Sequence, residues 1–353
     1  MNPDESRLEY PFGDELPALG RTLEVAPGVR WLRMPLPFAL NHINLWLLRD
    51  RDVESGREGW ALIDCGIADD KTRAAWEQVF ASELQGLPVL RVIVTHMHPD
   101  HIGLAHWLTE RFGVRLWISA TDFGAARLAS QSTTGFGGDS AAAFFASHGL
   151  NDPDSVAKVR QRSNYYAGMV PQVPARFRRM MDGNVLRIGA HDWTCHAGYG
   201  HAPEHISLYC PEFGILVSGD MVLPRISTNV SVLDLEPEAD PLPLYLDSIA
   251  RMRALPAGTL VLPSHGKPFR GLHERIGQLV AHHDERFDAV LTACAREPQT
   301  AASLLPVLFH RRLDLHQTTF AMGEAIAHLN ALWYRGQLRR ERGADGVYRF
   351  VPA

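Results

Sequence analysis

The chain has 353 residues, of which 46% are hydrophobic and 21% are charged, and this is the composition of an ordinary globular protein. It excludes collagen-like, low-complexity and wholly disordered chains, and the formal net charge of -5 argues against a polycation that coats nucleic acid. The four cysteines form no Cys-x-x-Cys pair, so neither a disulfide framework nor a cysteine zinc finger is expected. The acidic start resembles no secretory signal and no apolar run reaches about 18 residues, so we expect a cytoplasmic protein without membrane contact.

The first part of the chain alternates strands with helices. Residues 1–20 predict a surface arm, and apolar runs predict strands at 25–48 and at 60–63. Residues 69–85 carry apolar positions at helical spacing, and the β-branched segment 89–94 predicts the next strand. The order strand, helix, strand is typical of an α/β fold.

The rest of the chain contains an insert and a distinct tail. Residues 120–183 lack a strand pattern and predict a helical insert, after which strands and helices alternate again. In the tail, two helical segments precede a predicted hairpin around the turn at 343–346, which is the order of a winged-helix-like module. The expected parts are an N-terminal arm at 1–20, a main domain at 21–290 and a small winged-helix-like domain at 291–353.

A cluster of metal-binding residue types directly follows the strand at 89–94. The pattern is His-x-His-x-Asp-His, so His96 and His98 can bind one ion while Asp100 and His101 face a second. Three imidazoles and one carboxylate make a nitrogen and oxygen site that suits zinc, iron or manganese. This density of ligand types after a buried strand favours a metal site over a solvated polar loop.

Further candidate ligands follow other predicted strands. They are His201 in Gly-His-Ala-Pro-Glu-His, Asp220 in Ser-Gly-Asp and His265 in Pro-Ser-His-Gly. A single histidine after a strand is usually structural, but the ordered set is specific. On these motifs, residues from about 20 to 290 resemble the metallo-β-lactamase superfamily, and within it the glyoxalase II-like hydrolases.

The resemblance implies an αβ/βα sandwich with two divalent metal ions at one edge, zinc by default and iron or manganese as alternatives. It also implies a hydrolase in which a hydroxide that bridges the ions attacks the substrate, oriented by Asp100. The implied ligands are His96, His98 and His201 for the first ion, Asp100, His101 and His265 for the second, and Asp220 as the bridge.

Two neighbouring residues have supporting roles. The resemblance implies that Asp64, which follows the strand at 60–63, orients a metal-bound histidine rather than binding metal itself. His205 lies four residues after His201 and is a candidate catalytic residue that contacts the substrate oxyanion. The alternative for His205 is that it braces its own loop.

The insert supplies candidate substrate contacts. Tyr165 and Tyr166, with Phe144 and Phe145, either line an apolar channel or form the core of the insert. Six basic residues stand against one acidic residue at 158–183, which is either an anion-binding flank or a solvated face. The candidate anion contacts are Arg176, Arg178 and Arg179. A channel with a basic flank suits an anionic thioester of the acyl-CoA or acyl-glutathione type. The thiol that such a thioester releases has a pKa of about 8.5, so its thiolate leaves without a strong acid.

Other substrates remain open at this point. The tail is similar to that of the lactamase-β-like endoribonucleases, and four arginines stand against one glutamate at 335–342. Cleavage of RNA or another phosphodiester is therefore the alternative function, and a lactone would suit the same metals. The expected partner is a small anionic thioester, with nucleic acid as the alternative, and the tail could also mediate a homodimer.

Overall fold

The computed structural model describes residues 5–131 and 137–353. Its strands are β1 (Leu23–Ala26), β2 (Val29–Pro35), β3 (His42–Arg51), β4 (Glu58–Ile63), β5 (Val89–Ile93), β6 (Leu116–Ile118), β7 (Phe177–Arg179), β8 (Val185–Ile188), β9 (His191–Gly198), β10 (His205–Cys210), β11 (Ile215–Gly219), β12 (Leu260–Pro263), β13 (Leu338–Arg342) and β14 (Tyr348–Pro352). Its helices are α1 (Asp70–Ser82), α2 (Pro99–Ile102), α3 (Ala105–Phe112), α4 (Ala120–Ala129), α5 (Gly138–Ser147), α6 (Pro153–Gln161), α7 (Tyr165–Met169), α8 (Pro241–Arg251), α9 (Leu272–Arg296), α10 (Ala301–Leu308) and α11 (Leu315–Tyr334).

Most of the strands form two sheets that pack face to face. The first has the order β1-β2-β3-β4-β5-β6-β7, with antiparallel pairing up to β4 and parallel pairing from β4 onward. The second has the order β12-β11-β10-β9-β8 and is antiparallel except for the parallel pair of β11 and β12. The carboxyl ends of β4, β5, β11 and β12 meet at one edge of the sandwich, which is where side chains from both sheets can converge.

Buried apolar side chains divide the main domain into layers. Trp31 and Trp46 of the first sheet pack with Trp193 and Ile206 of the second, so this cluster fills the space between the sheets. The outer face of the first sheet is covered by α1 and α3, and the outer face of the second by α8 and α9. The order helix, sheet, sheet, helix confirms the αβ/βα sandwich expected from the sequence.

The insert is helical, as expected, over α4, α5, α6 and α7, although residues 132–136 of the predicted insert lie outside the described residues. The expectation that it contains no strand is wrong at β7, which extends the first sheet beside β6. Three residues are too few to produce a recognisable period. Phe144 and Phe145 line no channel, because both are buried in the helical core shared with α10 and α11.

The N-terminal arm is described from residue 5 onward. Leu8 is buried in the helical core, and Glu9 forms a short β-bridge with Arg270. The described part of the predicted arm is therefore packed against the main domain.

The C-terminal part consists of α10, α11 and the hairpin of β13 and β14, in the order predicted. The predicted domain boundary at residue 290 falls inside α9, which runs without interruption from the main domain towards α10. Asp314 caps α11 by accepting the backbone N–H of Gln317 at 2.8 Å. The winged-helix character of this part stays a prediction.

None of the helices in the described ranges combines the length and the apolar character that crossing a bilayer requires.

Candidate metal centre

The motif at residues 95–101 occupies the turn after β5 and the first residues of α2. His96 follows the buried end of the strand, and Pro99 begins the short helix at a position where a missing N–H is tolerated. This turn places His96 and His101 in the interior, both fully buried. His98 and Asp100 lie on the more accessible side of the same turn.

Four side chains from three segments form a first ligand group. It consists of His96, His98, His201 and Asp220, whose candidate ligand atoms all lie within 4.8 Å of one another. His96 Nε2 is 2.9 Å from His98 Nδ1 and 3.2 Å from His201 Nε2. His201 Nε2 is in turn 3.3 Å from Asp220 Oδ2. These nitrogens and the carboxylate oxygen point at a common centre.

A second ligand group lies beside the first. It consists of Asp100, His101 and His265, again with candidate ligand atoms within 4.8 Å of one another. His265 follows β12, and its Nε2 is 3.4 Å from Asp100 Oδ2. The structure therefore brings together all seven residues that the sequence singles out as metal ligands.

Asp220 lies between the two groups and faces both. While Oδ2 faces His201, Oδ1 is 3.5 Å from His101 Nε2 and 3.6 Å from His265 Nε2. The carboxylate is held there by the turn after β11, where Gly219 has a φ of 54° and a Cβ would collide with the ring of His205. A carboxylate with one oxygen towards each group is the arrangement of a bridging ligand.

Four of the five histidines in the two groups are fixed through their second ring nitrogen. Imidazoles that bind metal are commonly oriented in this way by a neighbouring oxygen. The contacts are His96 Nδ1 with Thr95 Oγ1 at 3.0 Å, His101 Nδ1 with Asp64 Oδ2 at 2.8 Å, His201 Nδ1 with the Asn229 carbonyl at 2.7 Å, and His265 Nδ1 with the His42 carbonyl at 2.9 Å.

Asp64 lies outside both groups and touches one ligand of the second group. Its Oδ1 accepts the backbone N–H of Thr95 at 2.8 Å, and its Oδ2 accepts from His101 Nδ1. The backbone of Asp64 is left-handed, with a φ of 61°, which is uncommon outside glycine. Asp64 thus contacts the second ring nitrogen of His101, and its role in orienting a metal-bound histidine stays a prediction.

The electrostatics of the two groups differ. Burial and the neighbouring imidazoles lower the pKa of His96 well below its usual range, and burial lowers the pKa of His98 to about 3. Burial also opposes charge on His101 and His265, but the surrounding carboxylates outweigh it and raise the pKa of His265 to about 10. In the first group His96 and His98 are therefore neutral imidazoles, the form that binds metal. In the second group the neighbouring carboxylates favour positive charge on His101 and His265.

The donor set fits two divalent ions. Imidazole nitrogens and carboxylate oxygens suit zinc, iron and manganese as ligand atoms, and here they lie together at the centre of the cluster. His101 Nε2 and Asp220 Oδ1 have no hydrogen-bond partner among the described residues although both atoms are buried. Buried polar atoms normally have partners, so these two atoms point to a ligand between them.

His205 is placed behind the cluster rather than at its opening. Its ring is fully buried, and its Nε2 accepts the backbone N–H of Asp220 at 3.2 Å. This contact supports the bracing alternative, because the ring holds the Asp220 turn. Contact of His205 with a substrate oxyanion has no support in this geometry.

Asp122 is a site residue that sequence reasoning missed. It lies fully buried in the first turn of α4 and accepts the backbone N–H of Met97 at 2.8 Å and that of Glu204 at 2.6 Å. It thereby joins the turn that carries His96 and His98 to the loop that carries His201. Ser119 begins α4 as its N-cap and predicts the helix start, but no sequence signal places Asp122 beside the two loops.

The candidate substrate residues are divided between two places. The Tyr166 hydroxyl donates to the Met97 carbonyl at 2.5 Å, and burial and the charge of Asp100 raise the pKa of Tyr165 to about 12. The candidate anion contacts Arg176, Arg178 and Arg179 are exposed on and before the edge strand β7. The Arg178 guanidinium lies 4.3 Å from the ring centre of Trp117. A substrate contact at these arginines stays a prediction.

Two family models match this chain. The model of the Metallo-beta-lactamase superfamily matches residues 40–265, which include all seven candidate ligands. The model described as Metallo-beta-lactamase-like, C-terminal domain, matches residues 287–353. Together they account for both parts of the fold.

Relatives and solved structures agree with these matches. The Probable metallo-hydrolase YqjP of Bacillus subtilis (strain 168) is 26% identical over 314 residues, covering 85% of this chain and 91% of the relative. A beta-lactamase domain protein from Burkholderia ambifaria is 55% identical, with a TM-score of 0.95 and complete coverage of both chains. A metallo-beta-lactamase family protein from Thermus thermophilus is 29% identical, with a TM-score of 0.77, covering 94% of this chain and 100% of that one.

Proposed function

The chain belongs to the metallo-beta-lactamase superfamily and is a metallo-hydrolase by that membership, and we propose that it is a dinuclear enzyme that cleaves thioesters. The observation that carries the dinuclear part is the position of Asp220, with one carboxylate oxygen towards each ligand group. Zinc is the proposed metal, and iron and manganese fit the same donors.

The proposed ligands follow the two groups. His96, His98 and His201 would hold one ion and Asp100, His101 and His265 the other, with Asp220 shared. When bound, such ions lower the pKa of a coordinated water and polarise the substrate carbonyl. The chain itself positions these ligands through Asp64, Asn229 and His42, and burial keeps the imidazoles of His96 and His98 neutral.

Hydrolysis of a thioester needs few catalytic groups besides the metal ligands. Water adds to the carbonyl carbon, the carbon–sulfur bond breaks, and the carboxylic acid and the thiol are the products. Because the thiol has a pKa of about 8.5, its thiolate is a stable leaving group and departs without a strong general acid. Asp100, which is partly accessible, would accept a hydrogen bond from the attacking water.

A second relative supports a thioester substrate. A protein from Chromohalobacter salexigens named Hydroxyacylglutathione hydrolase is 24% identical over 318 residues, covering 90% of this chain and 96% of that protein. Its name describes hydrolysis of a glutathione thioester. The match spans both parts of the fold, so the similarity is not confined to the metal motif.

Phosphodiester cleavage is less well supported by the surface of the tail. Of the arginines at 335–342, Arg340 pairs with Glu238 and also lies over the ring of Trp333 at 4.0 Å. Arg335 lies over Phe287 at 4.3 Å, and Arg339 pairs with Glu341 at 3.6 Å. These arginines are engaged within the chain, which weakens the case for a basic surface for RNA.

The test is thiol release from a panel of acyl-CoA and acyl-glutathione thioesters by zinc-loaded and iron-loaded protein. Release that a chelator abolishes, and that added metal restores, supports the proposal. The panel should include a bis-nitrophenyl phosphodiester and a lactone. Turnover of either of these with no thiol release from any thioester would overturn the thioester assignment while leaving the metal hydrolase in place.

A further inference from the structure

A cavity of about 530 Å³ lies where the insert, the first sheet and the C-terminal part meet. Its walls are residues 37–39 in the loop between β2 and β3, Arg162 at the end of α6, and residues 314–317 at the start of α11. This volume is within the range of cavities that bind small molecules. The cavity is built from segments that are distant in sequence.

Two chain segments connect the wall of the cavity to the proposed metal centre. The loop at 37–39 ends three residues before His42, whose carbonyl accepts from His265 Nδ1 at 2.9 Å. The Tyr165 hydroxyl is 3.2 Å from His316 Nδ1 in the wall, and burial and the charge of Asp100 raise the pKa of Tyr165 to about 12. A substrate whose carbonyl is at the metals could therefore extend an arm into the cavity.

Part of the wall is flat and aromatic. The rings of Phe38 and His316 stack with their centres 4.8 Å apart and their planes at 5°. Burial lowers the pKa of His316, and the charge of Arg162 lowers it further, so this ring is neutral at neutral pH. The pair offers an apolar surface to a ligand rather than a charge.

Arg162 supplies the positive charge of the cavity. It is half-buried, donates to Thr319 Oγ1 at 3.1 Å and lies 4.2 Å from the ring centre of Tyr165. Within residues 5–131 and 137–353, no carboxylate lies within salt-bridge distance of it, whereas Arg160 pairs with Asp139 at 2.7 Å. A partly desolvated guanidinium favours an oxyanion partner, and its planar group matches a carboxylate in two hydrogen bonds.

We propose that this cavity binds a carboxylate-bearing arm of the substrate, with Arg162 on the carboxylate and the Phe38–His316 pair against the rest of the arm. This rests on the proposed thioester function. The guanidinium of Arg162 and the exposed carboxylate of Asp314 both line the cavity. One positive charge beside one negative charge suits a ligand with a single carboxylate better than an arm with several phosphates. The C-terminal part thus contributes a side chain to substrate binding.

The kinetic test uses matched thioesters with a carboxylate or the corresponding primary amide. One pair carries the group on the thiol, as S-acetyl-3-mercaptopropanoate and its amide. The other carries it on the acyl side, as a succinyl thioester and its amide. For one of the two pairs, kcat/KM should be at least about tenfold higher for the carboxylate, mainly through KM.

The variants separate charge from shape. Arg162→Gln should remove the preference for the carboxylate, because kcat/KM should fall at least about tenfold more for the carboxylate than for the amide. Arg160→Gln is the matched control and should keep the preference. Phe38→Ala should weaken both members of a pair alike and keep their ratio. Equal rates for both members in the wild type, or a preference that survives Arg162→Gln, would overturn the proposal while thioester hydrolysis stands.

A binding measurement keeps the test independent of turnover. Calorimetric titration of the metal-free protein with 3-phenylpropanoate should show binding that 3-phenylpropanamide lacks and that Arg162→Gln abolishes. If no thioester is hydrolysed but this binding is found, the thioester function fails and the carboxylate site stands. If the acid and the amide bind alike, the site itself is refuted.

Discussion

His101 and Asp64 are joined by a 2.8 Å hydrogen bond in which the imidazole Nδ1–H donates to Oδ2 of the carboxylate. Both side chains are buried, so the bond is shielded from water. It leaves His101 Nε2 facing Asp220 at 3.5 Å. The orientation of a central residue of the metal centre therefore depends on a carboxylate that does not face the centre.

Replacing that carboxylate with an amide tests the dependence. Asp64→Asn preserves the size of the side chain, and asparagine tolerates the left-handed backbone at this position. The amide can still accept from Thr95, but it presents an N–H to the N–H of His101. We expect metal affinity to fall about 10–100-fold with little change in the melting temperature, as such partners usually contribute. Competition with a coloured chelator measures the affinity.

A loss of more than a few degrees in the melting temperature of Asp64→Asn would show that Asp64 acts mainly on the fold. Asp69→Asn is a suitable control, because Asp69 is an aspartate nearby in the chain that caps α1 and lies outside the cluster. It should leave metal affinity unchanged.

Removing the shared carboxylate should affect both ligand groups at once. In Asp220→Ala the backbone N–H that bonds to His205 is kept, so the turn after β11 should persist. We expect the metal content to fall from two ions per chain towards none, and hydrolysis to be lost. Elemental analysis after dialysis gives the content, and thiol release gives the activity.

The matched control is Asp192→Ala, which removes an exposed carboxylate that pairs with Arg187 on the surface. It should keep both ions and full turnover. A variant of Asp220 that keeps one tightly held ion and normal turnover would show that the second group is not needed and that the bridging assignment is wrong.

The sequence was most informative where chemistry is concentrated in short segments after strands. Each candidate ligand follows a strand within a few residues, and the ends of neighbouring strands meet at one edge of a sandwich. Strand ends supplied His201 and His265 as candidates, and the resemblance to the metallo-β-lactamase superfamily assigned them to the same site as His96. The role of Asp64 also came from that resemblance.

What the sequence could not provide depends on packing between distant segments. The carbonyl of Asn229 orients His201, and a backbone carbonyl carries no residue signature. Phe144 is an aromatic residue of the type that lines apolar channels, but α5, which carries it, packs into the helical core instead. The contact of His316 with Tyr165 joins residues from the tail and the insert, and no local pattern in either predicts the other.

Asp122 should be important for the integrity of the metal loops. Asp122→Ala leaves the buried N–H groups of Met97 and Glu204 without their acceptor. An unsatisfied buried donor costs about 1–3 kcal/mol, so for the two donors together we expect the free energy of unfolding to fall by about 2–6 kcal/mol. Metal affinity should fall as well, since the two loops are no longer tied together. Urea unfolding measures the first effect.

The comparison variant is Asp247→Ala, which removes an exposed aspartate from the middle of α8. It should change the free energy of unfolding by less than about 0.5 kcal/mol. If Asp122→Ala were equally mild, the two backbone N–H groups must find other acceptors, and Asp122 would have no organising role.

Glu324 should make stability depend on pH. Burial raises its pKa to about 7, an effect that Arg286 and the Asn229 amide only partly oppose. In the unfolded chain the pKa of a glutamate is about 4.3. Between these two values the native state holds a proton that the unfolded state has lost. The contribution of Glu324 to the free energy of unfolding therefore falls as pH rises from about 4 to about 7, by on the order of 3 kcal/mol.

Glu324→Gln removes that titration and keeps an oxygen that can accept from Asn229. Relative to the wild type, the variant should gain stability as pH rises from 5 to 8, because only the wild type must bury a charge at the higher pH. The measurement is the difference in free energy of unfolding between the two proteins across that range, which cancels the titration of all other groups. A difference that stays constant with pH would mean that Glu324 is ionised in the native state at both ends, and that its charge is compensated inside the helical core.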